Sequence, residues 1–286
     1  MMEKEKTQAE LLKEKLCFEK EHFSAAMSEA ECAKADEFCE GYKAFLDNCK
    51  TEREAAAYVT ALAEKKLGGR NIDRAVLYNP DAVALWLYQK YTAMFADAAA
   101  ASDLAIPMLS VMPSVTPVCF ASMYTGVMPD IHGIKKYEKP VLKTETLFDH
   151  FIKAGKKCAI VSTSRDSISM IFLEREMDYF IYDSVEEVNT KALELIKEDS
   201  YDLIVIYNGN YDGTMHKTGT EAPEAMAALR HNIDFYSELV ENITNEWKNH
   251  DVFCGFMPDH GCHDIDGDCG SHGLDMEEDM NVIHFY

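Results

Sequence analysis

Between Arg74 and Met257, short continuous apolar runs alternate with longer stretches of helical periodicity, and nothing else in the chain constrains the fold as much. Ala75–Tyr78, Cys158–Ser162, Asp178–Tyr182, Asp202–Tyr207 and Val252–Met257 have the length and the β-branched or aromatic content of strands. Helical patterns separate them over about 83–101, 146–153, 186–196 and 222–247. A strand with one wet face alternates apolar and polar residues. These runs do not, so both of their faces are covered, as in a parallel sheet. The expectation is an α/β fold with a mostly parallel central sheet and helices on both faces. Leu104–Val111 is also apolar but is broken by Pro107, and a proline-rich loop follows it to Ser114-Val115-Thr116. No GxGxxG or P-loop follows any strand, which excludes the obvious nucleotide-binding versions of this architecture.

The first 70 residues read differently. They hold no proline and only Gly41 before the Gly68-Gly69 pair, with apolar residues at helical spacing such as Leu12, Leu16, Phe38, Tyr42 and Phe45. Two domains are therefore expected: a helical segment over 1–70, suited to a cap or an interaction element, and a catalytic domain over 71–286. The balance of 28 Lys+Arg against 50 Asp+Glu, a formal charge of −22, excludes nucleic-acid binding through a broad basic face. No apolar run of the length that spans a bilayer is present, so no membrane is expected as a partner. The start MMEKEKTQAE lacks an apolar leader core, and nine cysteines occur without a C-x-x-C pair. Both features predict free thiols in a cytoplasmic protein.

The acidic excess is concentrated. From Asp251 to Tyr286 there are nine Asp/Glu and four His but no Lys or Arg, interleaved with Phe253, Phe256, Ile265 and Phe285. Folded carboxylates repel one another, and divalent cations offset that repulsion well. In open α/β sheets ligands bind beyond the carboxyl ends of the strands. Asp81 follows the first run. Asp212 and His216 follow the fourth, and Asp259 and His260 follow the last, with His263 and His272 beyond. Three strands thus bring carboxylates and imidazoles to one edge, a donor set that suits Zn²⁺, Mn²⁺ or Fe²⁺. Five or six ligands exceed one tetrahedral site and point to two ions, the usual arrangement for displacement at phosphorus.

These residues resemble the alkaline phosphatase superfamily, and within it the type I phosphodiesterase/nucleotide pyrophosphatase branch. Pro113-Ser-Val-Thr116-Pro leads into Thr125-Gly126-Val-Met-Pro129-Asp-Ile-His132-Gly133-Ile134, similar to the branch's nucleophile loop and its TG-x-x-P-x-x-HG-I signature. Asp212-Gly-Thr-Met-His216-Lys-Thr-Gly219 is similar to its D-x-x-x-H-x-x-G. Asp259-His260-Gly261 and Gly270-Ser-His272-Gly273 are similar to its D-H-G and late G-x-H-G. The match covers about 74–286. It implies that Thr116 is the nucleophile, that Asp81, Asp259 and His260 hold one cation, and that Asp212, His216 and His272 hold the other. Zinc is the implied metal, with manganese as the alternative. His132 then reads as a structural hydrogen-bonder, His263 as an alternative to His272, and His231, His250 and His284 as surface or packing residues.

The sequence departs from the branch at three points. Cys119 stands where the branch commonly has an Asn that donates to a phosphoryl oxygen, and thiols are poor donors. Ala82 follows Asp81 where Gly is usual. The substrate-selecting cap insertions of larger relatives are missing. Cys119 and Tyr211 are the candidate substrate contacts. The resemblance implies a metal-dependent hydrolase of phosphoric esters acting on a small-molecule phosphoester, with a homo-oligomer compatible with the amphipathic N-terminal segment. A phosphonate hydrolase or phosphate-transferring mutase of the same superfamily is the alternative, and a catalytically degraded metal-binding protein is a third reading. A sulfatase is excluded by Thr116-Pro-Val-Cys119, which lacks the C/S-x-P-x-R motif.

Overall fold

The computed structural model describes residues 72–286 and scattered positions between 28 and 65. The chain divides into two compact units, 1–70 and 71–286. Apart from those scattered positions, the helices expected in the first unit lie outside the described residues.

In the second unit the order is β1 (Arg74–Pro80), α1 (Leu85–Lys90), a 3-10 turn (Thr92–Phe95), α2 (Ala96–Ala100), β2 (Ala105–Leu109), α3 (Thr116–Thr125), α4 (Pro129–His132) and α5 (Leu147–Lys153). Then come β3 (Cys158–Thr163), α6 (Ser167–Ile171), β4 (Asp178–Tyr182), α7 (Val185–Glu198), β5 (Leu203–Asn208), α8 (Asn210–Thr218) and α9 (Pro223–Glu246). The chain ends with β6 (Val252–Phe256), the hairpin strands β7 (His263–Ile265) and β8 (Cys269–Ser271), α10 (Glu277–Met280) and β9 (Asn281–Phe285).

Seven strands form one sheet in the order β2-β9-β6-β1-β5-β3-β4. From β6 to β4 every neighbouring pair is parallel, and β9 runs antiparallel to both β6 and β2. Both faces are covered, and the cause is visible strand by strand. Val76 and Tyr78 of β1 join Ile204 and Ile206 of β5 on one face, under α7 and α9. Ala75 and Leu77 join Leu203 and Val205 on the other, under α3, α5 and α6. Successive side chains of a strand point to opposite faces, so a continuous apolar run needs a layer on each side.

The expected central strands fall within one or two residues of those observed. The stretch expected as one helix over 83–101 is instead α1, the 3-10 turn and α2. The Thr92 hydroxyl donates to the carbonyls of Tyr88 and Gln89, an alternative partner that competes with a continuous helix. Thr116 was expected in a proline-rich loop. It is the first residue of α3, because a proline in the first turn loses no hydrogen bond there. Among the described residues no helix is long and apolar enough to cross a membrane.

Candidate metal centre

Register brings the strand ends together. Pro80 of β1 lies beside Asn208 of β5, and Tyr78 of β1 beside Phe256 of β6. Asp81, the loop into α8, and Pro258-Asp259-His260 therefore leave the sheet side by side. Asp81 extends the ladder by one bond, its N–H donating to the Asn208 carbonyl at 3.0 Å. The next residue, Ala82, turns the chain away in the left-handed region at φ 64°. Asp212 and His216 lie one turn apart on α8, so they share a face. His272 follows the hairpin β7–β8, whose Gly270 packs against Met215.

Two groups of potential ligands result, Asp81 with Asp259 and His260, and Asp212 with His216 and His272, each with its donor atoms within 4.8 Å of one another. His260 Nε2 stands 3.4 Å from Asp81 Oδ1 and 3.3 Å from Asp259 Oδ2. In the second group Asp212 Oδ1 is 3.2 Å from His216 Nε2 and 3.4 Å from His272 Nε2. The stacked rings of His260 and His272, 3.9 Å between centroids, join the groups. Thr116 Oγ1 faces the first group, 3.3 Å from His260 Nε2 and 3.4 Å from Asp81 Oδ2.

The hydrogen bonds behind the imidazoles fix what they offer. Each donates from Nδ1 to a backbone carbonyl: His216 to Gly270 at 2.9 Å, His260 to Gly261 at 3.0 Å and His272 to Ser114 at 2.9 Å. Every Nε2 then presents a lone pair, the arrangement of metal-ligating histidines. Opposite them, the buried oxygens Asp81 Oδ1, Asp212 Oδ1 and Asp259 Oδ2 have no hydrogen-bond partner. Lone pairs facing lone pairs without a proton between them form a site that a cation completes. The residues fit divalent metal.

Electrostatics agree. Burial, reinforced by Asp259 and Asp212, pushes the Asp81 carboxyl well above the usual carboxylate range. Burial also raises Asp259, against the attraction of His260. Asp212 is held low despite burial, chiefly by His216. His272 is pushed down to about 3 by burial and by His260, so it is a neutral donor.

All six expected ligands and Thr116 thus converge. The two expected substrate contacts do not open onto them. Tyr211 is fully buried in the core and its hydroxyl donates to the Thr220 carbonyl at 3.1 Å. Cys119 sits one turn after Thr116, but its sulfur lies 3.1 Å from Ser110 Oγ, behind Asp259, whose carbonyl accepts from that same Ser110 hydroxyl at 2.7 Å. His132 donates to Ser122 Oγ at 3.0 Å and accepts from the Ile134 N–H at 3.2 Å, as a structural hydrogen-bonder does. His263 pairs with Asp279 rather than with the cluster. Tyr207, which donates to Asp81 Oδ2, went unread in the sequence. Its place as the last apolar residue before the β5 turn was the available signal.

Comparison with known proteins agrees with this geometry. The model of the family described as type I phosphodiesterase / nucleotide pyrophosphatase matches residues 81–283. No curated protein matches the chain by sequence. Among solved structures, murine ectonucleotide pyrophosphatase/phosphodiesterase 5 is similar with a TM-score of 0.54 at 15% identity, over 68% of this chain and 58% of that one. Its human counterpart gives 0.54 at 14%, over 66% and 57%. Phosphonoacetate hydrolase from Sinorhizobium meliloti, in complex with phosphonoformate, gives 0.50 at 18%, over 66% and 56%. The chain spans less than two thirds of the length of each of these structures. The fold is shared over 66–68% of this chain, and with the family match extending from the first ligand group to the last strand, the chain belongs to the metal-dependent type I phosphodiesterase/nucleotide pyrophosphatase family.

Proposed function

We propose that the chain hydrolyses phosphoric esters, with Thr116 as nucleophile and two divalent cations, zinc or else manganese. Asp81, Asp259 and His260 would hold one ion and Asp212, His216 and His272 the other. The convergence of unpartnered carboxylate oxygens and imidazole lone pairs on the Thr116 hydroxyl carries this reading. When bound, the ions supply positive charge that acidifies a hydroxyl and balances the charge of a phosphoryl group.

Thr116 is positioned by the start of α3 and by the hydrogen bond its hydroxyl donates toward Asp81 Oδ2. Tyr207 holds that carboxylate from the opposite side. In-line attack by Thr116 Oγ1 on phosphorus forms the Thr O–P bond, breaks the ester P–O bond and releases the alcohol, which ends with the hydroxyl's proton. A monoester leaves phosphothreonine, and a diester leaves the same linkage still carrying its second ester group. Water then cleaves the Thr–O–P linkage and regenerates the hydroxyl. The murine relative has also been solved as an inactive Thr-to-Ala variant in complex with AMP, which supports the role given to Thr116. The free thiols of Cys119, Cys158, Cys254 and Cys262 support a cytoplasmic compartment.

Purified full-length protein with Zn²⁺ or Mn²⁺ is expected to hydrolyse bis-p-nitrophenyl phosphate or p-nitrophenyl phosphate. Thr116→Ala should lower that rate by a factor on the order of 10³ or more while leaving about two bound ions per chain. Turnover of phosphonoacetate but of no ester would establish the phosphonate-cleaving alternative. Bound metal with no turnover across a panel of esters and phosphonates would leave a binding protein.

A further inference from the structure

Asp279, in α10, is a carboxylate with no exposed surface, it lies outside both ligand groups, and the mechanism above makes no use of it. Burying such a group is costly unless it is fully hydrogen-bonded, so its partners show what it is for. Oδ1 accepts from His263 Nδ1 at 2.6 Å, and Oδ2 from the Leu274 N–H at 2.8 Å. Its backbone carbonyl accepts from the Gly261 N–H at 2.7 Å.

Two of these bonds continue to the stacked imidazoles. The Gly261 carbonyl is the acceptor that orients His260 through Nδ1. A side chain at Gly261 would put its Cβ 1.9 Å from the Glu278 carbonyl, so the contact between that loop and α10 is as close as backbones allow. On the other side, the Leu274 carbonyl accepts from Ser114 Oγ at 3.4 Å, and the Ser114 carbonyl orients His272 through Nδ1. One residue therefore ends two relays, Asp279–Gly261–His260 from its backbone carbonyl and Asp279–Leu274–Ser114–His272 from its carboxylate, and the two imidazoles they reach belong to different ligand groups.

We infer that Asp279 is a positioning residue that holds the two ligand groups in register with each other, with His263 fixing the orientation of its carboxylate. The inference rests on reading those groups as cation sites. Without its carboxylate the backbone bond to Gly261 remains, but the tie from α10 to His263 and Leu274 is lost. The loops carrying His260 and His272 are then no longer held to one anchor, and each ion must order its own ligands on binding.

The test measures Zn²⁺ affinity of the full chain by competition with a chromophoric chelator, beside the thermal midpoint of the metal-free protein. It is run on each variant that circular dichroism finds folded. Asp279→Asn keeps the volume and is expected to bind Zn²⁺ about tenfold more weakly, and Asp279→Ala up to about a hundredfold. His263→Asn, which offers an amide N–H in place of Nδ1–H, should retain near wild-type affinity, whereas His263→Ala should lose it. A simple loop staple would lower the thermal midpoint and leave the affinity of the folded protein unchanged. Folded Asp279→Asn within about twofold of wild type therefore overturns the inference. If Asp279→Ala does not fold, the Asn variant alone decides. Wild-type protein that binds no Zn²⁺ removes the cation reading itself, while wild-type binding with an unaffected variant removes only the role of Asp279.

Discussion

Ala82 stands in the left-handed region at φ 64°, where a Cβ costs about 1–2 kcal/mol. The turn it makes delivers Asp81 to the ligand group, so the strain belongs to the site rather than to packing. Ala82→Gly would relieve it but would lose a buried methyl worth about 0.8 kcal/mol and gain unfolded-state entropy worth about 0.5–1 kcal/mol. The terms nearly cancel. Ala82→Gly is expected within about 0.5 kcal/mol of wild type in urea denaturation, and Ala82→Val at least about 2 kcal/mol below it. A clear loss in the glycine variant would show that the turn is not strained as described. At this scale the ligand side chains were legible, because strand ends announce themselves as polar residues after apolar runs. Asp279, Tyr207 and Ser110 were not. Asp279 reads as one more acidic residue in an acidic tail, and backbone carbonyls such as Ser114 and Gly261 leave no trace in composition.

Elements divide in the same way. The central strands were legible because continuous apolar runs have few other uses. β9 was missed because its NVIHF sits inside the acidic run, and β2 because Pro107 interrupts it. Proline is tolerated there because β2 is an edge strand. α8 reads only as a motif in the sequence, since its buried residues are Tyr211 and Met215 alone, one turn apart and too few to make a recognisable apolar stripe. At the opposite edge of the sheet, His250 joins three elements. Its Nδ1 meets Asp73, just before β1, at 2.7 Å, and its Nε2 meets Asp199, just after α7, at 3.0 Å. The Asp73 hydrogen bond, followed by that of Asp199, raises the His250 pKa, although Arg74 opposes them. A raised folded-state value means that protonation favours folding. This stabilisation is complete below the unfolded value of about 6.5 and is lost as pH rises through the folded value. The thermal midpoint of wild type minus that of His250→Gln should accordingly shrink from pH 6 upward. A difference that stays constant or grows with pH would rule out the bridge.

For the whole molecule, a formal charge of −22 understates how unfavourable the metal-free site is, because Asp81 and Asp259 are buried beside each other with oxygens that nothing satisfies. Monovalent salt screens exposed charges over about 8–10 Å but does little for buried ones. Divalent ions coordinated at the site act directly, and any ligand that binds only the folded state stabilises it by about 2.7 kcal/mol at a hundred times its dissociation constant. For a unit of this size each kcal/mol is worth roughly 2–4 °C, so each occupied site should raise the thermal midpoint by about 5–10 °C. The increment should be insensitive to added KCl and should disappear with EDTA. It should also be smaller at low pH, because protons compete for the same oxygens. The raised values of Asp81 and Asp259 bring that competition in at higher pH than for ordinary aspartates. Asp212→Asn should lose about half of the increment, and Asp264→Asn, an acidic change on β7 outside both groups, none of it. A metal increment equal in all three proteins would mean that the stabilising ions bind elsewhere.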